Sequence, residues 1–265
     1  MENQKFTYKQ MVDFKALPLE EKEMMAISLI SKEIKNSKRP IVSNSWGKDS
    51  MVVLHLVRRV CKNVTVVFHN TYVQYPETYK YRDLMLKEWN IKNYVETKPI
   101  KTFWECVKKY GYPKFRQMGK GKDKKYKSQG GARTPKCCYY LKEKPAMDFI
   151  KLNNIDLEFL GLQASESMVR RLSFFREGFV FDSKKYKARI CRPVMCWTDK
   201  DVWEYHKKYN IPKNPTYNTM KRNGCMPCTA FKNWEKVMAT ANPAMYAFVS
   251  KEMGQPLLNE WCEEK

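Results

Sequence analysis

A short β-branched apolar run at residues 39–45 passes through Ser43-Asn-Ser-Trp-Gly-Lys-Asp-Ser50 directly into residues 51–60, which are apolar at helical spacing. Strand, glycine-containing turn and helix in immediate succession leave few architectures open, and the same order recurs downstream. Residues 64–69 read as a second strand and 76–89 as its helix, with Pro76 in the first turn and Glu77 behind it. Residues 94–97 and 102–110, then 136–152 and 157–162, continue the alternation. Strands alternating with helices pair in parallel through right-handed crossovers and bind ligands at their carboxyl ends. The predicted class is therefore α/β, a doubly wound, mostly parallel sheet with a small cysteine-bearing C-terminal extension. A hairpin is expected at 179–190 and a helix at 198–209, where Thr198 and Asp201 have capping-box spacing. A helix at 19–35 precedes the first strand, and one further helix, 233–240, follows Tyr217. The expected division is a helical cap at 1–36, a nucleotide-binding domain at 37–215 and a cluster-binding segment and tail at 216–265.

The loop between the first strand and its helix has the chemistry of an anion site. Backbone N–H groups at a helix start point toward a bound anion, and the helix dipole favours it. Gly47 lets the backbone approach phosphate, Ser45 and Ser50 offer hydroxyls, and Lys48 supplies charge. The spacing is not that of a Walker A loop. Taken alone, the segment reads equally well as a structural turn capped by Asp49.

Composition narrows the partners. Fifty Lys and Arg against 28 Asp and Glu give a formal charge of +22, more than solubility requires. Between Lys108 and Lys136 stand eleven basic residues and one acid, Asp123, interleaved with Tyr110, Tyr112, Phe115 and Tyr126. Such a stretch can contact nucleic acid or cover a nucleotide; it can equally be a solvated surface loop. No run approaches the roughly 20 apolar residues of a membrane span, and residues 1–30 lack a secretory pattern, so a soluble cytoplasmic protein is expected.

Nine cysteines without a secretory pattern point to metal or redox work rather than disulfides. Cys137 and Cys138 are adjacent, and Cys225 and Cys228 form Gly-Cys-Met-Pro-Cys-Thr. Two such pairs can supply four thiolates to zinc or to an iron–sulfur cluster, and spacing alone does not separate the two. Cys61 and Cys106 read as small core residues, and Cys191 and Cys196 lack ligand spacing. Among the three histidines only His69, which ends a strand, falls at the ligand edge, and no role is assigned to it.

Ser45-x-Gly47-x-Asp49-Ser50 resembles the SxGxDS loop of the PP-loop superfamily, the N-type ATP pyrophosphatases and their relatives. Tyr75-Pro-Glu-Thr-Tyr79, Gly161-Leu-Gln-Ala-Ser-Glu-Ser-Met-Val-Arg170, the segment from Arg192 to Trp203 and Ile211-Pro-x-Asn-Pro-x-Tyr217 resemble, in matching order, the phosphoadenylyl sulfate (PAPS) reductase family. The resemblance runs from about residue 39 to 229 and implies an adenine nucleotide alpha hydrolase-like fold. It implies Ser43, Ser45, Gly47, Lys48, Asp49, Ser50, Gly161, Glu166 and Arg170 as nucleotide-binding, with Mg²⁺, and Lys48 and Asp49 as catalytic. It further implies Cys137, Cys138, Cys225 and Cys228 as ligands of a [4Fe–4S] cluster. Trp46 stands where the superfamily more usually has Gly, and is expected to crowd the phosphates.

Three functional readings follow. The retained Gly-Lys-Asp-Ser ending favours an ATP-dependent sulfurtransferase, similar to DndC- and SspD-type DNA phosphorothioation proteins or to tRNA-thiolating enzymes. This reading brings ATP, a nucleic-acid acceptor and a cysteine desulfurase as partners. A phosphoadenylyl or adenylyl sulfate reductase, an oxidoreductase drawing on a thioredoxin-like donor, would instead use Cys262 as nucleophile, although the Gly and His that follow that cysteine in the family are absent here. The third reading is a nucleotide-binding subunit without turnover. A homodimer is compatible with all three.

Overall fold

The computed structural model describes residues 6–113 and 135–254. Most of the basic stretch, and Cys262, lie outside the described residues.

Several of the helices begin where a side chain satisfies one of the first N–H groups. Helix α1 (Tyr8–Ala16) opens on a capping box between Thr7 and Gln10, and α2 (Leu19–Lys35) carries Glu20 and Glu21 in its first turn and Lys32 and Lys35 in its last. Strand β1 (Pro40–Ser43) leads into α3 (Lys48–Val60), and β2 (Thr65–His69) precedes α4 (Pro76–Glu88). Strand β3 (Tyr94–Thr97) is followed by α5 (Phe103–Tyr110), which starts on a Thr102–Glu105 capping box.

After the undescribed segment comes one helical run: α6 (Lys136–Cys138), a π-helical turn (Tyr139–Glu143) and α7 (Lys144–Leu152). The sequence predicts one uninterrupted helix there, and the wider turn departs from that expectation. Strand β4 (Leu157–Leu160), α8 (Met168–Glu177), the hairpin β5 (Val180–Ser183) and β6 (Ala188–Cys191), and α9 (Asp199–Lys208) follow. Two helices close the described chain, α10 (Trp234–Ala241) and α11 (Pro243–Met253), where one was expected.

The six strands form one sheet in the order β3-β2-β1-β4-β6-β5. Neighbours pair in parallel except β5 with β6, which are antiparallel as a hairpin requires. The α/β class with a mostly parallel sheet is thus borne out. Successive strands run outward one way from β1 to β3 and the other way from β4, so the sheet changes direction between β1 and β4. That is the switch point at which such sheets bind ligands.

Two compact units make up the chain. The first, residues 1–69, 81–97 and 146–214, holds the sheet and the two N-terminal helices. Its central strands are buried on both faces by residues such as Ile41, Val42, Val66, Val67 and Phe159, as parallel strands covered by helices should be. The second, residues 70–80, 98–145 and 215–265, has two apolar clusters. Phe103, Cys106, Cys137 and Leu141 form one, and Trp234, Met238, Tyr246 and Val249 the other.

Candidate functional site

The loop after β1 is held from three sides within the first unit. Asn44 is buried, and its Oδ1 accepts from the Trp46 N–H at 2.7 Å and from the Ser50 hydroxyl at 2.8 Å. The Asn214 side chain donates to the Trp46 carbonyl at 2.9 Å, and a ring nitrogen of His206 lies 2.9 Å from the Lys48 carbonyl. Gly47 is the N-cap of α3 and has no capping side chain. The expected Asp49 cap is therefore not what starts this helix. The first N–H groups of any helix lack intrahelical acceptors, and here they stand at the switch point of a parallel sheet.

Trp46 corrects another expectation. Its backbone is left-handed, with φ 61, a conformation costing a non-glycine residue about 1–2 kcal/mol. The indole is turned into the core, fully buried, with its edge toward Phe68 and Tyr94 at ring-centroid distances of 6.3 and 5.9 Å. A bulky residue is accepted because the aromatic burial offsets the strain, and the ring does not crowd the anion site.

Lys48 is 7% exposed, and its Nζ lies 2.8 Å from Asp49 Oδ1 and 2.9 Å from Asp199 Oδ1. Burial works against its charge, but Asp49 and Asp199 outweigh that and hold the ammonium above the usual lysine range. The Asp49 carboxyl is raised, because burial and the nearby Asp199 charge exceed the pull of Lys48. Lys48 thus stays cationic beside two carboxylates, of which Asp199 is the exposed one. An arriving phosphate can replace Asp199 without leaving any charge stranded in the interior.

Of the other expected nucleotide residues, Ser45 and Ser50 meet, their hydroxyl oxygens 3.3 Å apart. Gly161, just past β4, presses on the start of α3: a Cβ there would lie 2.6 Å from both Ser50 Cα and Ser50 N. Both contacts are backbone, so neither can swing aside. Gly161→Ala is expected to cost about 1–3 kcal/mol through overpacking and to weaken nucleotide binding by displacing Ser50. Denaturant unfolding together with a nucleotide titration checks both effects. Glu166, which ends a short turn before α8, pairs with Arg170 in the first turn of α8, and Glu166 also accepts from the Gln163 N–H at 3.2 Å.

The four expected ligand cysteines all belong to the second unit. Cys137 and Cys138 open the helical run just before its π turn, a distortion common at functional sites. Cys225 bridges Gln74 through the backbone, the Met226 N–H donates to the Val73 carbonyl at 2.7 Å, and Cys225 Sγ lies 3.6 Å from the Thr71 hydroxyl. The Cys228 N–H donates to the Cys225 carbonyl at 3.2 Å, closing the C-x-x-C turn.

The thiols feel one another. A hydrogen bond from Cys137 lowers the Cys138 thiol to about 6, against its burial and with help from Lys142, while the same bond pushes Cys137 well up. Burial and Cys225 push Cys228 up to about 11. Lys142 is held above its usual range chiefly by Cys225, with Cys138 and Cys228 adding to it against desolvation. Tyr75 is pushed up to about 12 by burial and by Cys228 and Cys225. Among the described residues no group of three or more His, Cys, Asp or Glu side chains is drawn tightly enough together to hold a metal ion; the two pairs are neighbours, not a closed cage. Four soft donors, one inclined to ionise, beside a lysine that would balance their charge are nonetheless the donor chemistry that an iron–sulfur cluster needs.

The remaining cysteines have other surroundings. Cys106, Cys191 and Cys196 are buried, and Cys61 is half-buried at the end of α3. The sequence reading did not single out Asn44, Asp199, His206 or Asn214 for the loop, nor Lys142 for the thiols. Asn44 lies within the loop itself, whereas Asp199, His206 and Asn214 reach it from residues distant in the chain; of these, Asp199 and Asn214 fall in segments that carried the family resemblance.

With this geometry in place, comparison with known proteins is informative. Residues 39–231 match the phosphoadenosine phosphosulfate reductase domain family. An adenosine 5'-phosphosulfate reductase of Bacillus thuringiensis is 30% identical over 207 residues, which cover 77% of this chain and 79% of that protein. Among solved structures, the phosphoadenylyl-sulfate reductase of Candida auris in its phosphate complex superposes with a TM-score of 0.56 at 14% identity, covering 84% of this chain and 97% of the other. The U34-tRNA thiolase NcsA of Methanococcus maripaludis, with its [4Fe–4S] cluster, does so with a TM-score of 0.50 at 11% identity, covering 89% and 77%. These two likenesses speak to fold. No helix among the described residues is long and apolar enough to cross a membrane.

Proposed function

The chain belongs to the phosphoadenosine phosphosulfate reductase domain family, within the PP-loop superfamily, and is an enzyme of its sulfonucleotide reductase and sulfur-transfer class; from this we propose that it is an ATP-dependent sulfurtransferase that releases AMP and pyrophosphate and modifies nucleic acid. One observation carries the reading: Lys48, cationic and buried at the start of α3, is held by the exposed carboxylate of Asp199, a partner that a phosphate group can displace. Together with Gly47, Ser45 and Ser50 it would hold the terminal phosphates of ATP. Asp49 would orient the loop and its Mg²⁺. An oxygen of the acceptor then attacks the α-phosphate, the bond to pyrophosphate breaks, and sulfur later displaces AMP. Donors fixed before the reaction stabilise the charge that develops on the leaving pyrophosphate.

Cys137, Cys138, Cys225 and Cys228 would hold a [4Fe–4S] cluster, which with one thiolate on each of its four irons would supply a structural centre able to carry an electron. Lys142 would offset the negative charge of such a thiolate set. The charge of +22 and the basic, aromatic stretch between Lys108 and Lys136 support a polyanionic acceptor.

Sulfonucleotide reduction is the second reading, favoured by the similarity to adenosine 5'-phosphosulfate reductases over more than two thirds of the chain. One experiment separates the two: anaerobically purified protein incubated in parallel with ATP and Mg²⁺, or with adenylyl sulfate and thioredoxin. Pyrophosphate from the first without sulfite from the second is the expected result. Sulfite release abolished by Cys262→Ser, with ATP left intact, would establish reduction instead.

A further inference from the structure

Four polar side chains cross the sheet in strand order, Thr97, His69 and Ser43 at the carboxyl ends of β3, β2 and β1, and Glu158 near the start of β4. Thr97 Oγ1 lies 2.9 Å from His69 Nδ1, His69 Nε2 lies 3.2 Å from Ser43 Oγ, and the Ser43 hydroxyl is hydrogen-bonded to Glu158. Glu158 and Thr97 are buried, 3% and 8% exposed, while Ser43 and His69 are half-buried where the phosphate loop begins.

A carboxyl on a central parallel strand is costly to bury, and far more so when ionised and unpaired. The register neighbours of Glu158 on β1 and β6 are Ile41 and Ile190, and α3 packs over β4 with the apolar residues of its buried face. The charged groups of the loop, Lys48, Asp49 and Asp199, are engaged with one another. Burial accordingly pushes the Glu158 carboxyl up to about 7, and the Ser43 hydrogen bond pulls it only partly back.

Hydrogen-bond directions along such a line are not independent. With Glu158 ionised, Ser43 donates to it, Nε2–H donates to Ser43, and Thr97 donates to Nδ1. Let one proton arrive at Thr97 Oγ1 and one pass along each bond. The old Thr97 proton moves to Nδ1, the Nε2 proton to Ser43, and the Ser43 proton to Glu158. Thr97 and Ser43 are again neutral hydroxyls, His69 is again neutral with its proton now on Nδ1, and Glu158 is the uncharged acid. Every bond survives with its direction reversed.

We propose that Thr97, His69, Ser43 and Glu158 form a proton relay whose store is Glu158, taking up the proton that the acceptor loses as it attacks the nucleotide. The reaction served rests on the transfer reading above; the relay does not. Glu158 and His69 act through their neighbours and are positioning residues.

Nitrogen-15 spectra of the histidine rings in nucleotide-free protein, from about pH 5.5 to about 8.5, read the relay through the imidazole tautomer. His69 is expected to pass from Nδ1–H to Nε2–H as pH rises, with a midpoint set by Glu158. Burial lowers His55 to about 4, so its ring serves as an unchanging reference. Glu158→Gln should hold His69 in one tautomer throughout, and Ser43→Ala should uncouple it. A wild-type tautomer that ignores pH, or a transition that survives both substitutions, would overturn the relay.

Pyrophosphate release from ATP with water as acceptor reads its use. Below the midpoint the wild-type rate should fall about tenfold per pH unit, the behaviour of one required base, and the fall should vanish in Glu158→Gln. A tautomer switch without any pyrophosphate release would refute the assigned reaction and leave the relay standing. Release with the same acid limb in Glu158→Gln would refute the role of the relay.

Discussion

Lys48→Ala is expected to reduce pyrophosphate release from ATP by about 10²–10³-fold, the usual effect of removing one preorganised donor from a developing charge. Lys48 Nζ is held by Asp49 and Asp199 at 2.8 and 2.9 Å, and the loop backbone around it is braced by Asn44, Asn214 and His206. The loop backbone is therefore set before the nucleotide arrives, so binding requires only that the Lys48 side chain turn from Asp199 to phosphate. Removing it also leaves Asp49, already raised by burial, without its cation and adds a carboxylate's repulsion to the phosphates. Lys48→Arg keeps the charge and should recover part of the affinity but little of the rate, because the wider guanidinium does not fit a site 7% exposed. Nucleotide affinity and rate measured side by side in both variants, with thermal unfolding as a folding control, check this. A rate in Lys48→Ala within threefold of wild type would remove the lysine from the mechanism.

Cys225→Ser is expected to lose most of the bound iron and sulfide of anaerobically purified protein. Cys225 faces Thr71 and bridges Gln74, and of the groups around Lys142 it has the greatest influence. Serine keeps the backbone bridge and removes only the soft donor, so the second unit should stay folded while a cluster loses one of four ligands. Cys106→Ser is the contrasting variant: Cys106 is buried among Phe103, Cys137 and Leu141, and its substitution should cost stability without removing iron stoichiometrically. Equal iron in wild type and Cys225→Ser, or zinc in place of iron, would contradict the assignment.

The sheet was legible in the sequence because its signals are local. Residues 94–97 and 19–35 come out with the bounds expected, and the capping boxes at Thr102 and Thr198 mark helix starts within a residue. Helices α1, α8 and α11 were missed, although the Thr7–Gln10 box and the Asn242-Pro243 start carried signals of the same kind. Helix α8 was read as motif residues rather than as a helix capped by Ser167. The π turn behind Cys138 has no counterpart in apolar spacing.

At the site, residue types were legible and contacts were not. Gly47, Lys48 and Ser50 stand in one loop, whereas Asp199 reaches Lys48 from 151 positions away. Trp46 looked obstructive because side-chain direction depends on a left-handed backbone that no composition rule reports. The line from Thr97 to Glu158 joins four separate strands; Ser43 and His69 were placed at the ligand edge one by one, and Thr97 and Glu158 carry no sequence signal that links them to it.

The central claim is that the loop at the start of α3 holds the terminal phosphates of ATP through Lys48. A crystal structure of the anaerobic protein with Mg²⁺ and a non-hydrolysable ATP analogue tests it most directly. The account predicts the β- and γ-phosphates against Ser45, Gly47 and Ser50, with Lys48 turned from Asp199 to phosphate. A nucleotide bound elsewhere, with Lys48 still paired to Asp199, would contradict it.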